Sequence, residues 1–349
     1  MKKWLSVGMV GLISMVLMVA ACAPAPAEKG ITAEEFYRGA NIEFLVTSNP
    51  GGTFDTYCRL TVPFLAKELG VNQLIIENMG GATGLIGCNW MYLNAPRDGS
   101  LIGLTTGTAL VTSEVVGLSP EAQWKSGSEF SLIALYGTTP QFIVAYPELR
   151  YNSLQELMGA TGLKAGATNL VSTLGTQAAI TAECLGMKDM SIVTGFSGVP
   201  DLLASVFRGE LDLASPPEDQ TIKSIEGGLV KLLGIFASER DPNYPDVQSV
   251  GEFAAPGTKK WIDIHLGIRG ASYYWYGPPG IPEDRLEFVR QAFARMLKNP
   301  DYQEAMAERG LGIYTPLIGK EAEALRDNIL ALPQAEKEGY INITMKYQK

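Results

Sequence analysis

The pattern of apolar and polar side chains predicts strands and helices that alternate along the chain. Residues 41–48 place Ile42, Phe44 and Val46 on one face, which predicts a strand, and residues 54–69 predict a helix that ends at Gly70. Further strands are predicted at 74–76, 101–105, 141–146, 163–167, 191–194, 211–214 and 231–237, and further helices at 85–93, 153–159, 176–185 and 199–208. Such alternation with short connections predicts mainly parallel sheets covered by helices on both faces.

The pattern falls into two successive α/β series, which predicts two domains with a ligand cleft between them. Residues 34–135 together with 238–349 form the predicted first domain, and residues 136–237 form the second. Three C-terminal helices, near 286–297, 301–308 and 320–332, are expected to pack on the first domain. The single histidine, His265, lies between Ile264 and Leu266 in a context that reads as strand.

The N-terminus has the layout of a bacterial lipoprotein signal. Lys2 and Lys3 precede an uncharged apolar run over residues 4–21, and small residues lead to Cys22 as in a lipobox. We therefore predict a signal peptide at 1–21, lipidation of Cys22 and a flexible tether over 22–33, which tethers an extracytoplasmic protein to the membrane. An uncleaved membrane span is the alternative.

Charge and composition narrow the class of partner. The chain has 349 residues, is 46% hydrophobic and 19% charged, and carries a formal net charge of −9. This composition predicts a globular protein of two domains. An acidic body disfavours nucleic acid and anionic membrane surfaces as partners, so an anion site has to be built locally.

Three cysteines remain after Cys22, namely Cys58, Cys88 and Cys184. An odd number leaves at least one thiol outside any intramolecular disulfide. A disulfide between Cys58 and Cys88 is one possibility, and buried free thiols are the favoured interpretation because cysteine often behaves as a small apolar side chain.

Two glycine turns between a strand and a helix are the main candidate for ligand chemistry. The first is Asn-Pro-Gly-Gly-Thr-Phe-Asp at 49–55, and the second is Glu-Asn-Met-Gly-Gly-Ala-Thr-Gly at 77–84. Backbone N–H groups at a helix start carry partial positive charge, and glycine lets an anion approach them closely. The turns thus predict a carboxylate or phosphate receptor, in which Asp55 caps its helix or braces the loop because its own charge would repel an anion.

In order and spacing, the motifs resemble those of the solute-binding receptors of tripartite tricarboxylate transporters, also called Bug receptors. The resemblance covers most of the mature chain. It is carried by residues 50–59, 77–87, 96–99, 175–183, 196–203, 209–212 and 275–282. Two positions depart from the family pattern: Ala179 stands where a histidine is common, and Phe196-Ser197-Gly198 replaces an aromatic-Lys-Gly element.

The resemblance implies a periplasmic-binding-protein-like fold of type II whose cleft closes around a carboxylate ligand. The expected ligand-binding residues are Asn49, Gly51, Gly52, Thr53, Phe54, Gly81, Ala82, Thr83, Thr168, Gly175, Thr176, Ser197 and Gly198. Phe54 reads equally as a lid over the ligand or as a core residue. Trp275 and Tyr276 are expected to pack between the domains rather than touch the ligand.

The resulting hypothesis is a monomeric receptor that captures a di- or tricarboxylate or an aromatic acid for the membrane subunits of such a transporter. No catalysis, cofactor or metal is expected: the dinucleotide and nucleotide-loop motifs are missing, and the cysteine spacing fits no metal site. The alternatives are a secreted α/β hydrolase that uses Ser197 and His265, and a lipoprotein that senses its ligand.

Overall fold

The structure is a computed structural model that describes residues 30–51, 53–115, 117, 121–137, 139–168, 172–309 and 311–347. The predicted signal peptide, Cys22 and most of the predicted tether lie outside the described residues. Within the described ranges, no helix combines the length and apolar character needed to cross a bilayer.

Strands of the chain assemble into two separate mixed sheets. The first has the order β11-β4-β10-β3-β1-β2, and the second has the order β7-β6-β8-β5-β9. Their bounds are β1 Asn41–Val46, β2 Gln73–Asn78, β3 Leu101–Thr106, β4 Ser131–Gly137, β5 Phe142–Ala145, β6 Lys164–Gly166, β7 Ser191–Val193, β8 Leu213–Ala214, β9 Lys231–Ile235, β10 Tyr273–Gly277 and β11 Tyr314–Ile318.

The prediction of mainly parallel sheets was wrong. β1 pairs in parallel with β2 and β3, and β6 pairs in parallel with β7 and β8. The remaining pairings are antiparallel: β10 with β3 and β4, β11 with β4, and β5 with β8 and β9. Strands that return from the distant C-terminal part of the chain enter the first sheet, and strand direction there depends on long-range pairing that local patterns do not encode.

The helices cover both sheets. Their bounds are α1 Ala33–Tyr37, α2 Thr53–Leu69, α3 Leu85–Asn94, α4 Ser113–Val115, α5 Leu154–Leu157, α6 Thr173–Cys184, α7 Val199–Phe207, α8 Ile222–Glu226, α9 Lys259–Gly270, α10 Glu283–Leu297, α11 Pro300–Glu308, α12 Lys320–Leu330 and α13 Gln334–Lys346. As expected, the three predicted C-terminal helices pack around the first sheet: α10 packs on β4 and α2, α11 packs on α2 and α10, and α12 packs on β4 and β11. The last helix, α13, packs instead on α6 beside the second sheet, where Lys346 pairs with Glu183 at 2.6 Å.

Trp275 and Tyr276 do not pack between the two sheets. Both side chains are buried within the core of the first sheet, where the Trp275 ring meets Phe44 and Phe293 at centroid distances of 5.8 and 4.9 Å. Tyr276 faces the opposite side of the same sheet and packs against Phe130. Alternation along β10 sends consecutive side chains to opposite faces, and both faces are covered.

Cys58, Cys88 and Cys184 are all buried free thiols, so the favoured interpretation is confirmed and the Cys58–Cys88 disulfide is not formed. Cys58 lies with α2 on one face of the first sheet, and Cys88 lies on the other, beside Thr105 and Tyr276. Burial raises the pKa of the Cys88 thiol to about 11, which keeps it protonated and unreactive.

Candidate ligand-binding site

A cavity of about 540 Å³ lies between the two sheets, at the segment where the chain first crosses from one to the other. The crossing segment contributes Gly137, Thr139 and Gln141. The first sheet and its helices add Tyr57, Arg269, Tyr273 and Tyr314, and the second adds Thr168, Ser172, Thr173, Leu174, Val199, Pro217, Asp219 and Gln220. A cleft of this size between two α/β units is a common location for a small-molecule site.

Arg269 is a buried cation on the wall of this cavity. Its residue surface is 8% exposed, and its Nη2 donates to the backbone oxygen of Thr139 at 3.3 Å. The other buried arginines of the described chain have acidic neighbours: Arg290 pairs with Glu323, and Arg326 pairs with Asp327 at 2.7 Å. Arg269 forms no ion pair within the described ranges, and burial lowers its pKa to about 10. A buried guanidinium without a carboxylate is poised to bind an anion.

α9 brings Arg269 to the cavity by its helical period. Ile262, His265 and Arg269 share the buried face of this helix, which runs to Gly270. Gly107 closes against the end of α9, because its N–H donates to the Ser272 oxygen at 3.0 Å, and a Cβ at this position would collide with the Ala271 carbonyl. The connection after β3 therefore holds the end of the helix that carries Arg269.

Asp219 brings a negative charge to the same cavity, next to aromatic rings. Thr139 Oγ1 donates to Asp219 Oδ1 at 3.3 Å, so Thr139 contacts both charged groups. Asp219 is exposed by surface area, but desolvation by neighbouring protein atoms is the largest influence on its carboxyl group and raises its pKa. Burial raises the pKa values of Tyr57 and Tyr273, and the Asp219 charge adds to both shifts. These two rings are tilted by 34° at a centroid distance of 4.3 Å.

A second cavity of about 330 Å³ adjoins the first, and the two share Ser172, Thr173 and Arg269. Its other walls are Thr108, Thr112, Thr176, His265, Ile268, Ser272 and Tyr340. His265 Nδ1 bonds to the Tyr340 hydroxyl at 2.7 Å, and its Nε2 is buried without a hydrogen-bond partner among the described atoms. Burial and the charge of Arg269 hold the His265 pKa well below its ordinary value.

The two glycine turns lie side by side at the carboxyl end of the first sheet. β1 and β2 are parallel neighbours in register from Asn41–Gln73 to Val46–Asn78, so the loops that follow them meet. A Cβ at Gly80 would collide with Asn49, and Asn78 Nδ2 donates to the Ser48 oxygen at 3.0 Å. Gly51, Gly81 and Ala82 are exposed. Both turns therefore occupy one end of the first sheet.

Asp55 braces these turns, as the sequence predicted. Its Oδ2 accepts the Gly51 N–H at 2.8 Å and Arg59 Nε at 2.9 Å, and its Oδ1 accepts Asn78 Nδ2 at 2.9 Å. The Arg59 hydrogen bond is the largest influence that lowers its pKa, to about 2. The carboxylate is saturated by protein donors, so it acts on loop geometry.

Ala82 adopts φ +46°, in the left-handed region that side chains other than glycine rarely occupy. It begins the single turn Ala82–Gly84 that precedes α3. Strain of this kind costs of order 1–3 kcal/mol and concentrates at ligand-contacting loops, which supports a functional role for the second turn.

Two of the expected ligand residues line a cavity. Thr168 lines the larger one and Thr176 the smaller. Gly175 lies buried in α6, and Gly198 begins α7 directly before the cavity residue Val199. Phe54 stacks on Tyr273 at 4.7 Å, half-buried. Asn49, Gly51, Gly81 and Ala82 are exposed on the two turns; Gly52 and the side chains of Thr53 and Thr83 lie outside the described part of the chain. As ligand contacts, all of these remain predictions.

Ser197 and His265 do not form the catalytic pair that the hydrolase alternative requires. Ser197 is exposed, and its hydroxyl donates to Asp201 Oδ2 at 3.2 Å. His265 is buried in α9 against Tyr340 and Phe236, so the expectation of a strand at 264–266 was wrong. Nucleophile and base need a direct hydrogen bond, which these two residues do not form.

Sequence reasoning missed Arg269, Asp219 and Tyr273. A signal for Arg269 was present, because a charged residue at the helical spacing of Ile262 and His265 falls on an apolar face. The segment was instead interpreted as strand. Asp219 follows Glu218 in the chain, a pair of acids that by itself indicates a solvated face, and only the tertiary structure shows that Asp219 lines the cavity.

The family model of the tripartite tricarboxylate transporter family receptor matches residues 58–330. A Pseudomonas protein described as the UPF0065 protein in the tcbD-tcbE intergenic region is 24% identical over 313 residues, or 88% of this chain and 86% of that protein. Among solved structures, a TctC solute-binding protein from Polaromonas has a TM-score of 0.71 at 22% identity, covering 88% of this chain and 99% of that one. MatC from Rhodopseudomonas palustris with bound malate has a TM-score of 0.56 at 22% identity, covering 87% and 99%.

The structural likeness confirms the predicted fold, that of the two-domain periplasmic solute-binding proteins. The family match extends over most of the chain and includes the second sheet and every strand of the first sheet except β1. The chain therefore belongs to the receptor family of tripartite tricarboxylate transporters, whose members are binding receptors and not enzymes.

Proposed function

We propose that this receptor binds a small organic carboxylate in the cavity between its two sheets and delivers it to the membrane subunits of a tripartite tricarboxylate-type secondary transporter. The observation that carries the proposal is Arg269, a buried cation on the cavity wall with no acidic partner among the described residues. A ligand carboxylate would supply the missing countercharge through bidentate hydrogen bonds.

The positive charge of Arg269 favours binding of an anionic ligand although the protein as a whole is acidic. The formal net charge of −9 repels anions at long range, so a fixed cation inside the cleft gives the site its selectivity. Ser172 and Thr173 line the same cavity as Arg269. The Ser172 hydroxyl accepts the Gly175 N–H at the start of α6, and the Thr173 hydroxyl is of a type that can bond neutrally to the rest of the ligand.

The size of the cavity is compatible with the predicted ligand classes. About 540 Å³ accommodates a di- or tricarboxylate or an aromatic acid, and drug-sized ligands occupy clefts of roughly 300–1,000 Å³. The malate bound by the structurally similar MatC is a carboxylate of this size class. We propose domains at 34–135 plus 238–349 and at 136–237, which close on the ligand about the crossing segment.

We further propose that Cys22 is lipidated after removal of residues 1–21 and anchors a monomeric receptor outside the cytoplasmic membrane. The lysines, the apolar run and the small residues before Cys22 support this. Mass spectrometry of the membrane-extracted protein would show an acylated Cys22, and a Cys22→Ala variant would be recovered free of the membrane.

The test of ligand class is thermal and calorimetric titration of the purified protein with malate, adipate, citrate, benzoate and alanine. A ligand at a hundred times its Kd stabilises the folded state by about 2.7 kcal/mol, which raises the melting temperature measurably. We expect at least one of these carboxylates to do so. If neither these compounds nor the zwitterions and carbon analogues tested below shift the melting temperature or release heat, the proposed function is wrong.

A further inference from the structure

We propose that the ligand is a zwitterion, with its carboxylate on Arg269 and a cationic nitrogen between Asp219 and the cavity tyrosines. This inference rests on the proposed function, because it identifies the class of carboxylate that the same cavity takes. It follows from the charges on the cavity wall, where an acidic residue disfavours binding of a ligand that carries only negative charges.

The described cavity wall carries one buried cation and one acid. Arg269 and Asp219 both contact Thr139, through its backbone oxygen and its hydroxyl, at 3.3 Å each. The two charges are therefore separated by one residue and two hydrogen bonds, and they form no ion pair with each other. A dicarboxylate would satisfy Arg269 but would bring its second negative charge towards Asp219. A ligand with one positive and one negative group complements both residues.

Aromatic rings surround the acidic end of the cavity. Tyr57, Tyr273 and Tyr314 all line it, and the charge of Asp219 acts on all three tyrosines. The Phe54 ring contacts Tyr273 at a centroid distance of 4.7 Å and is tilted by 31°. Ring faces attract ammonium and quaternary ammonium groups, particularly where a carboxylate is close. The same rings offer nothing specific to a second carboxylate beyond their hydroxyls.

Gln141 adds an unused acceptor to the cavity wall. Its Nε2 donates to the oxygens of Thr139 and Pro140 at 3.0 and 3.3 Å, which fixes the orientation of the amide. Its Oε1 is buried and has no hydrogen-bond partner among the described atoms. A buried acceptor without a donor is costly, and a ligand N–H would satisfy it.

The pKa of Asp219 points the same way. The residue is exposed by surface area, but neighbouring protein atoms partly desolvate its carboxylate and raise its pKa. A cationic group of the ligand would compensate this cost, whereas an anionic group would increase it.

The test compares ligands that differ only by nitrogen or carbon at the cationic centre. Glycine betaine is isosteric with 3,3-dimethylbutyrate, γ-aminobutyrate with pentanoate, and alanine with isobutyrate. Isothermal titration of the purified protein with each pair, and with malate, measures the contribution of the positive charge. We expect at least one zwitterion to bind tenfold or more tightly than its carbon analogue, and the pair that does so distinguishes a quaternary from a primary ammonium.

Asp219→Asn tests the residue, with Glu218→Gln as its matched control. Glu218 is the adjacent acid, outside the cavity wall, and its carboxylate accepts the Tyr244 hydroxyl. We expect Asp219→Asn to reduce the preference for the zwitterion to threefold or less. Glu218→Gln, which removes the same charge, should preserve it.

Two results would overturn the zwitterion proposal while leaving the carboxylate receptor intact. One is tight binding of malate or a carbon analogue with no zwitterion preferred. The other is an unchanged preference in Asp219→Asn. Failure of every carboxylate, zwitterionic or not, would instead refute the proposed function itself.

Discussion

Replacing Arg269 with methionine should weaken ligand binding while stabilising the empty protein. Methionine fills much of the same volume with an apolar, flexible side chain and removes the charge. Binding and stability then change in opposite directions, which separates a binding residue from a structural one.

The magnitudes follow from burial. Burial lowers the Arg269 pKa from 12.5 to about 10. Since one pKa unit corresponds to about 1.36 kcal/mol, burial of the charged guanidinium costs roughly 3 kcal/mol of folding free energy. Loss of the hydrogen bond to the Thr139 oxygen offsets about 1 kcal/mol of that. We expect the free energy of unfolding of the empty protein to rise by about 1–2 kcal/mol. Two charge-assisted hydrogen bonds lost from the ligand should weaken binding by about 3 kcal/mol or more, at least ~100-fold.

The assay measures both quantities on the same preparations. Urea unfolding of the ligand-free protein gives the free energy of unfolding, and isothermal titration with the tightest ligand of the wild-type panel gives the Kd. Arg269→Lys retains the charge but loses the planar fork, so its affinity should lie between those of wild type and Arg269→Met. Arg240→Met removes an equal charge from an exposed pair with Glu252 and should leave the affinity unchanged.

Unchanged affinity in Arg269→Met would refute the assignment of the carboxylate to Arg269. Destabilisation of the empty protein by more than about 2 kcal/mol would show that the guanidinium supports the fold through Thr139, and the site would then have to be sought at the glycine turns.

Three further changes test residues that hold the loops and helices around the site. Asparagine at position 55 cannot accept all three hydrogen bonds that Asp55 accepts, so we expect Asp55→Asn to lower the free energy of unfolding by about 1–3 kcal/mol. In wild type, the pKa of Asp55 is lower in the folded than in the unfolded state, so its contribution to stability should disappear as the pH falls from about 4 towards 2. His265 has a folded pKa below its unfolded value, so the unfolded chain takes up the extra proton and stability should fall below about pH 6.5, by up to about 1.4 kcal/mol per pH unit. Gly107→Ala should destabilise the protein by displacing Ala271 at the end of α9, and should weaken ligand binding as well.

Each of these changes has its own readout and control. Acid unfolding of Asp55→Asn should lose the low-pH component that wild type shows. His265 is the single histidine of the chain, so its imidazole proton resonances should titrate well below pH 6.5, and the His265→Gln variant should lack the corresponding slope. Gly267→Ala, within α9 and without a positive φ, places a Cβ at an ordinary contact distance of 3.7 Å from Ile329 Cγ1, so it reports the effect of a Cβ without a collision for comparison with Gly107→Ala.

Much of the first sheet was predictable because its parallel part is built from consecutive units. β1, β2 and β3 follow each other in the chain with short turns and helices between them, so local alternation of apolar residues indicates them. The adjacency of the two glycine turns follows from that order, and the brace formed by Asp55 follows from its position one turn after Gly51. In these places local pattern and tertiary structure agree.

The missed elements are those whose role depends on distant partners. β4, β10 and β11 pair antiparallel in the first sheet although more than a hundred residues separate β4 from the other two. α9 was not predicted as a helix, because three residues around His265 were read by their alternation and the longer period was not used. The exposed position of Ser197 and the buried one of His265 likewise depend on packing.

By itself the sequence determined the two α/β series, the glycine turns with their brace and the family, because these are set by periodicity and by motifs in order. Only the tertiary structure decided where the charges meet: Arg269 and Asp219 are fifty residues apart, and Thr139 lies eighty residues before Asp219. They reach one cavity because α9 and the crossing segment close against each other. Burial leaves the Arg269 guanidinium without an acidic partner among the described residues, and burial is a property of the folded chain.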